Sequence, residues 1–153
     1  EHNTAAVCGT WWKADVCLDG TPRGYGVYEV NGNDVKWYYK SSGYPKEHQF
    51  RSYPAGASKE HPSDIIANVW NWDKNWKVEW LENGKVMGTM TQYTGVDPYA
   101  HQVCTDKKRT MQSWISAAST GHMFRATPRN PKAKIEIRVT DRFGKVYQQN
   151  VSK

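Results

Sequence analysis

Leucine is nearly missing from this chain: Leu18 and Leu81 are the only two among 153 residues. Thirteen valines, eight tryptophans and nine tyrosines stand in its place, which favours β-branched and aromatic packing over helix packing. Cysteine is scarce too. Cys8, Cys17 and Cys104 form no C-x-x-C pair and have no paired histidines beside them, which excludes a zinc motif of that kind. Cys8 and Cys17 would close a small loop worth roughly 2 to 3 kcal/mol if bridged, or stay as buried thiols; their spacing leaves both open. No apolar run reaches membrane-spanning length. The chain starts at Glu1 without methionine or an apolar signal segment, and the expectation is a processed piece of a longer protein.

Catalytic signatures are absent in the same way. There is no H-E-x-x-H, no G-x-S-x-G and no G-x-x-x-x-G-K-[ST]. Gly24 and Gly26 lack both the third glycine and the following helix of a dinucleotide turn. The histidines 2, 48, 61, 101 and 122 are isolated in sequence, so a self-contained hydrolase would have to assemble Asp19, Asp97, His101 and His122 across loops. Lys and Arg number 21 against 15 Asp and Glu, a net of +6, but the basic residues are scattered. The densest patch, Lys107-Lys108-Arg109, reads as a solvated loop, and no nucleic acid partner is expected.

What is present is β patterning with turn punctuation. At this length the chain is the size of one domain with one core. Tyr25 to Val30 and Asp34 to Lys40 flank Asn31-Gly32-Asn33, a tight hairpin. Asp64 to Trp72, Trp76 to Glu82 and Lys85 to Gln92 read as a three-stranded meander, turning at Asp73-Lys74-Asn75 and Asn83-Gly84, the latter suited to a type I′ loop. Ile135, Ile137 and Val139 alternate with polar residues, and Phe143-Gly144 turns the chain into Lys145 to Val151. Tyr53 to Ser63 reads as loop. Asp97-Pro98 predicts a helical turn, since aspartate caps and proline fits the first position; a second short helix is read over Met111 to Ala118. The fold class is all-β, an antiparallel β-sandwich of about eight to ten short strands with one or two short helical turns.

Four tryptophans, Trp70, Trp72, Trp76 and Trp80, fall in one short stretch. Strand alternation puts Trp70 and Trp72 on one face and Trp76, Val78 and Trp80 on another. Indoles both fill β cores and stack on flat ligands, so the run is either core or platform. The segment Asp19-Gly20-Thr21-Pro22-Arg23 reads first as a shape-fixing turn. A sharper reading joins Asp19 and Arg23 to Trp11 and Trp12 as a holder for a polar, ring-shaped ligand such as a sugar.

The segments Gly9-Thr10-Trp11-Trp12-Lys13, Asp19 to Tyr25, Trp37-Tyr38-Tyr39-Lys40, Asp64 to Trp72, His122 to Ala126 and Val139 to Gly144, in that order, resemble the C-terminal domain of bacterial calcineurin-like phosphoesterases. The resemblance spans nearly the whole chain. It implies a noncatalytic accessory domain, residues 1–153, whose partner is the catalytic domain of a secreted polypeptide, periplasmic or extracellular. It implies two divalent metal ions in that catalytic domain and none here, because Asp-x-His and Gly-Asp are missing and Gly32-Asn33 is followed by Asp34 rather than histidine. Trp11, Trp12, Asp19, Arg23, Trp70 and Trp72 are the candidates for a domain interface or for a ligand, with glycan as the alternative partner.

Overall fold

The computed structural model describes residues 3–106, 108, 112–130 and 132–151. Among these residues the chain forms ten strands and one helix: β1 (Gly24–Asn31), β2 (Asp34–Ser41), β3 (Phe50–Tyr53), β4 (Ile65–Val69), β5 (Lys77–Glu82), β6 (Lys85–Thr89), β7 (Thr91–Val96), α1 (Pro98–Thr105), β8 (Ser119–Ala126), β9 (Ile135–Thr140) and β10 (Val146–Asn150). The all-β expectation holds. Two compact units interleave along the sequence, Glu1–Gln49 with Gly95–Thr120 and Phe50–Thr94 with Gly121–Lys153.

The second unit contains the sandwich, two four-stranded sheets in the orders β10-β9-β5-β6 and β3-β4-β8-β7, antiparallel in the pairs β10–β9, β9–β5, β5–β6, β3–β4 and β4–β8. Its core follows from alternation. Ile65, Ala67 and Val69 of β4 and Phe124 of β8 join Val78 and Trp80 of β5, Ile137 and Val139 of β9 and Tyr147 of β10 in one buried cluster. Each large apolar side chain sealed from water contributes about 1.5 to 3 kcal/mol. Trp76, Val78 and Trp80 share the inward face, as their spacing predicts.

The β9–β10 hairpin pairs Thr140 with Val146. Its turn is held by the Asp141 carboxylate, which accepts the Phe143 and Lys145 amides at 2.8 and 2.9 Å and the Tyr147 hydroxyl at 3.0 Å. The β5–β6 hairpin pairs Glu82 with Lys85. Asn83 and Gly84 both take positive φ, 48° and 80°, the type I′ geometry expected of that dipeptide.

The rest of the predicted meander is corrected. β4 and β5 lie in different sheets, so Trp70 to Asn75 crosses between sheets rather than closing a hairpin. Asn71 stands at φ 61°, and an Asp73 side chain that accepts the Asn75 amide at 2.8 Å turns the chain out of the β4 direction. The expected strand Lys85 to Gln92 breaks at Met90, which is buried and donates its amide to the Val78 carbonyl at 2.8 Å; β7 then continues in the other sheet. Trp70 and Trp72 do not share a face. Trp70 is fully buried on the side of β4 opposite the core, under the Arg51 guanidinium at 5.7 Å, while the Asn71 reversal returns Trp72 to the core against Phe124. Strand β3, paired with β4, has no counterpart in the sequence reading.

The first unit holds the β1–β2 ribbon, joined by Gly32-Asn33 with Gly32 at φ 58°. It also holds α1, whose N-cap Asp97 accepts the Ala100 amide at 2.8 Å with Pro98 in the first turn, as predicted. Ala14, Val16 and Val103 form its small buried cluster, with Tyr99 against it. Gly20, at φ 83°, lies so close to the cap that an added Cβ would sit 2.2 Å from Asp97 Cγ. The second predicted helix begins at Met111, outside the described residues, and residues 112–118 are not helical. Lys107 and Arg109 also lie outside them.

Candidate functional site

The segment Gly9 to Val16 doubles back on itself. Thr10 donates both its amide and its hydroxyl to the Val16 carbonyl, each at 2.8 Å, and the Lys13 amide donates to the Thr10 carbonyl at 2.9 Å. Glycine at position 9 is required. Its φ is 63°, and a Cβ there would stand 2.3 Å from the Ala14 carbonyl oxygen.

At the tip Trp11 and Trp12 both adopt left-handed backbone, φ 50° and 59°. For bulky side chains this conformation costs on the order of 1 to 2 kcal/mol per residue. Little of it is repaid by burial, since Trp11 is 54% exposed and Trp12 80%. Trp114, 65% exposed, meets Trp11 edge-on with centroids 5.2 Å apart. The Ala118 amide donates to the Leu18 carbonyl at 2.9 Å, tying the segment that carries Trp114 to the loop's stem. Beside the indoles is a shallow depression of about 350 Å³ lined by Cys8, Gly9, Thr10, Trp11, Trp12, Cys17 and Leu18.

The six sequence candidates separate. Trp11 and Trp12 form the exposed tip. Asp19 spends its carboxylate on its own turn, accepting the Thr21 amide and hydroxyl at 3.0 Å each. Arg23 is exposed, and its backbone bonds Asp15 and Ser42. Neither Asp19 nor Arg23 lines the depression. Trp70 is buried and Trp72 half-buried, both in the sandwich unit. The sequence reading missed Trp114; only folding places it beside Trp11.

Of the residues considered for hydrolysis, Asp97 caps α1, His101 is exposed on that helix, and His122 Nδ1 lies 2.7 Å from Asn68 Oδ1. Among the described residues no three His, Cys, Asp or Glu side chains gather as metal ligands. Cys8, Cys17 and Cys104 are free thiols. Burial pushes Cys17 and Cys104 above the ordinary thiol value, away from nucleophilic character.

The strongly held carboxylates are structural. Burial alone would raise Asp64, but hydrogen bonds from Thr127 and Arg125, with the charges of Arg125 and His61, hold it below the usual range. Glu79 is opposed by burial in the same way and lowered by Lys77 and by its cross-strand partner Arg138, 2.9 Å away. A cavity of about 400 Å³ in the sandwich unit is lined by residues such as Pro54, Ile65, Pro128, Ile135 and Val151. Among the described residues Ser63 supplies its one hydroxyl and no ionisable side chain lines it, so these residues hold nothing to activate a phosphoester.

No helix among the described residues is long and apolar enough to cross a membrane. A family model described as the C terminal of calcineurin-like phosphoesterase matches residues 1–147. No curated protein and no solved structure gives a significant match.

Proposed function

The chain belongs to the C-terminal family of calcineurin-like phosphoesterases, and from that membership we propose that it is the noncatalytic accessory domain of a secreted, periplasmic or extracellular metallophosphoesterase, packing on the catalytic domain or shaping access to its substrate. The two divalent ions and the hydrolysis belong, on this reading, to the catalytic domain.

One observation carries the packing role. The β1–β2 ribbon is a sheet of only two strands. Its cross-strand pairs Tyr28 with Trp37 and Val30 with Val35 put apolar side chains on one face, and Tyr28, Val30 and Val35 are exposed. Two-stranded ribbons are marginal in water, and a domain separated from its neighbour leaves an apolar face of this kind behind. The test compares the full polypeptide, wild type and Val30→Glu, with the catalytic domain alone on a chromogenic phosphoester. Equal kcat/KM in all three, with no association between separately expressed domains, would remove the proposal.

A second reading, ligand capture for the parent enzyme, with glycan as the partner, is favoured by a different observation, the exposed indoles of Trp11, Trp12 and Trp114.

A further inference from the structure

We infer that Trp11, Trp12 and Trp114 form a stacking platform for the apolar face of a neutral sugar ring, with the depression bounded by Thr10 and Leu18 taking an adjoining residue of the glycan. The inference rests on the ligand-capture reading and supplies its site.

The backbone is the first ground. Two consecutive tryptophans in the left-handed region are a rare expenditure of strain. The loop enforces it through the two bonds from Thr10 to Val16 and the glycine at position 9. Strain that buried the rings would be repaid by the core. Here it holds them in water, so the gain has to come from whatever covers them. A platform fixed before binding also avoids the entropy of ordering the side chains on contact.

Charge selects among partners. The chain carries +6, yet the two described stretches that hold the rings are neutral: in Asn3 to Arg23 the charges of Lys13 and Arg23 are offset by Asp15 and Asp19, and Gln112 to Ala118 has no charged residue, the basic Lys107-Lys108-Arg109 standing outside both. Nucleic acid would need basic residues interleaved with the rings to follow its phosphates, and an anionic membrane would need them beside the rings. A sugar ring needs neither: its C–H face stacks on indole, and its hydroxyls stay in water. The shallow form of the site suits one residue of a chain rather than an enclosed small molecule.

The experiment titrates the intact chain with cello-, xylo-, chito- and malto-oligosaccharides, read by tryptophan fluorescence and calorimetry. Trp12→Ala and Trp114→Ala are titrated in parallel, with folding checked by near-ultraviolet circular dichroism. The expected result is binding to at least one series, weakened at least tenfold in both variants while the fold is kept. Binding that survives both substitutions would overturn the platform but leave glycan capture standing. No binding of any series at millimolar sugar would overturn both. Should a variant misfold, quenching of wild-type fluorescence by brominated vesicles of neutral lipid provides the second measurement: indole insertion into the bilayer would overturn the sugar assignment, and its absence alongside sugar-induced fluorescence change would support it.

Discussion

The left-handed backbone of Trp12 implies an inversion that can be measured. At an ordinary position with negative φ, glycine is less stabilising than alanine by about 0.5 to 1 kcal/mol, because the unfolded chain gains freedom. At φ 59° alanine keeps the Cβ that makes this region cost about 1 to 2 kcal/mol, and glycine does not. Trp12→Gly and Trp12→Ala delete the same ring, so lost packing cancels between them. The difference that remains puts glycine ahead by about 0.5 to 1 kcal/mol. For a chain of this size that is about 1 to 4 °C in Tm. Urea unfolding of both variants, followed by far-ultraviolet circular dichroism with equal m-values, gives the number directly. If Trp12→Ala equals or exceeds Trp12→Gly in stability, the loop is not strained at this position and the argument for a preorganised platform fails.

Other outcomes follow from the interior. Asp97→Ala removes the cap of α1 and should cost about 1 to 2 kcal/mol by chemical denaturation; Gly20→Ala should cost at least as much, since its Cβ would meet Asp97 at φ 83°. Arg138→Met leaves the buried Glu79 carboxylate with Lys77 as its ion-pair partner among the described residues and should destabilise by about 1.5 to 3 kcal/mol, recovered in part by adding Glu79→Gln; a loss under 1 kcal/mol would show the pair to be solvated. Asp64 and Glu79 have depressed pKa values, so their contribution is present above the unfolded carboxylate value near 4 and is lost as pH falls through the lower folded values. The denaturation midpoint should therefore drop below about pH 4, and less steeply in Asp64→Asn. Burial raises the Tyr39 hydroxyl, followed by the charges of Cys17 and Asp19, and that hydroxyl donates to the Pro22 carbonyl. Its contribution is complete below about pH 10 and is lost as pH rises toward the folded value; Tyr39→Phe should flatten that alkaline decline.

Local chemistry was legible in the sequence wherever it acts over a few residues. Asn83-Gly84 dictated its turn, Asp97-Pro98 its helix start, and the alternation of Ile135, Ile137 and Val139 its inward face. The scarcity of leucine among many valines and aromatics set the all-β class, because β-branched and aromatic side chains pack well on pleated surfaces. Partner choice was not legible, since neighbouring strands can pair with each other or part to different sheets. The turn at Asn71, with its positive φ, parts β4 from β5 and leaves Trp70 and Trp72 facing opposite ways, and the break at Met90 parts β6 from β7.

The candidate site divides along the same line. Residue order alone places Trp11 and Trp12 just after a glycine-threonine pair in a turn-rich segment, with no phosphoesterase metal motif beside them. It takes the folded chain to leave these two rings in water while Trp70, Trp76 and Trp80 are buried, and to lay Trp114, about a hundred residues on, against one of them. Exposure is a property of what packs around a side chain, and that is fixed by contacts between distant segments rather than by the residue's own neighbours in the chain.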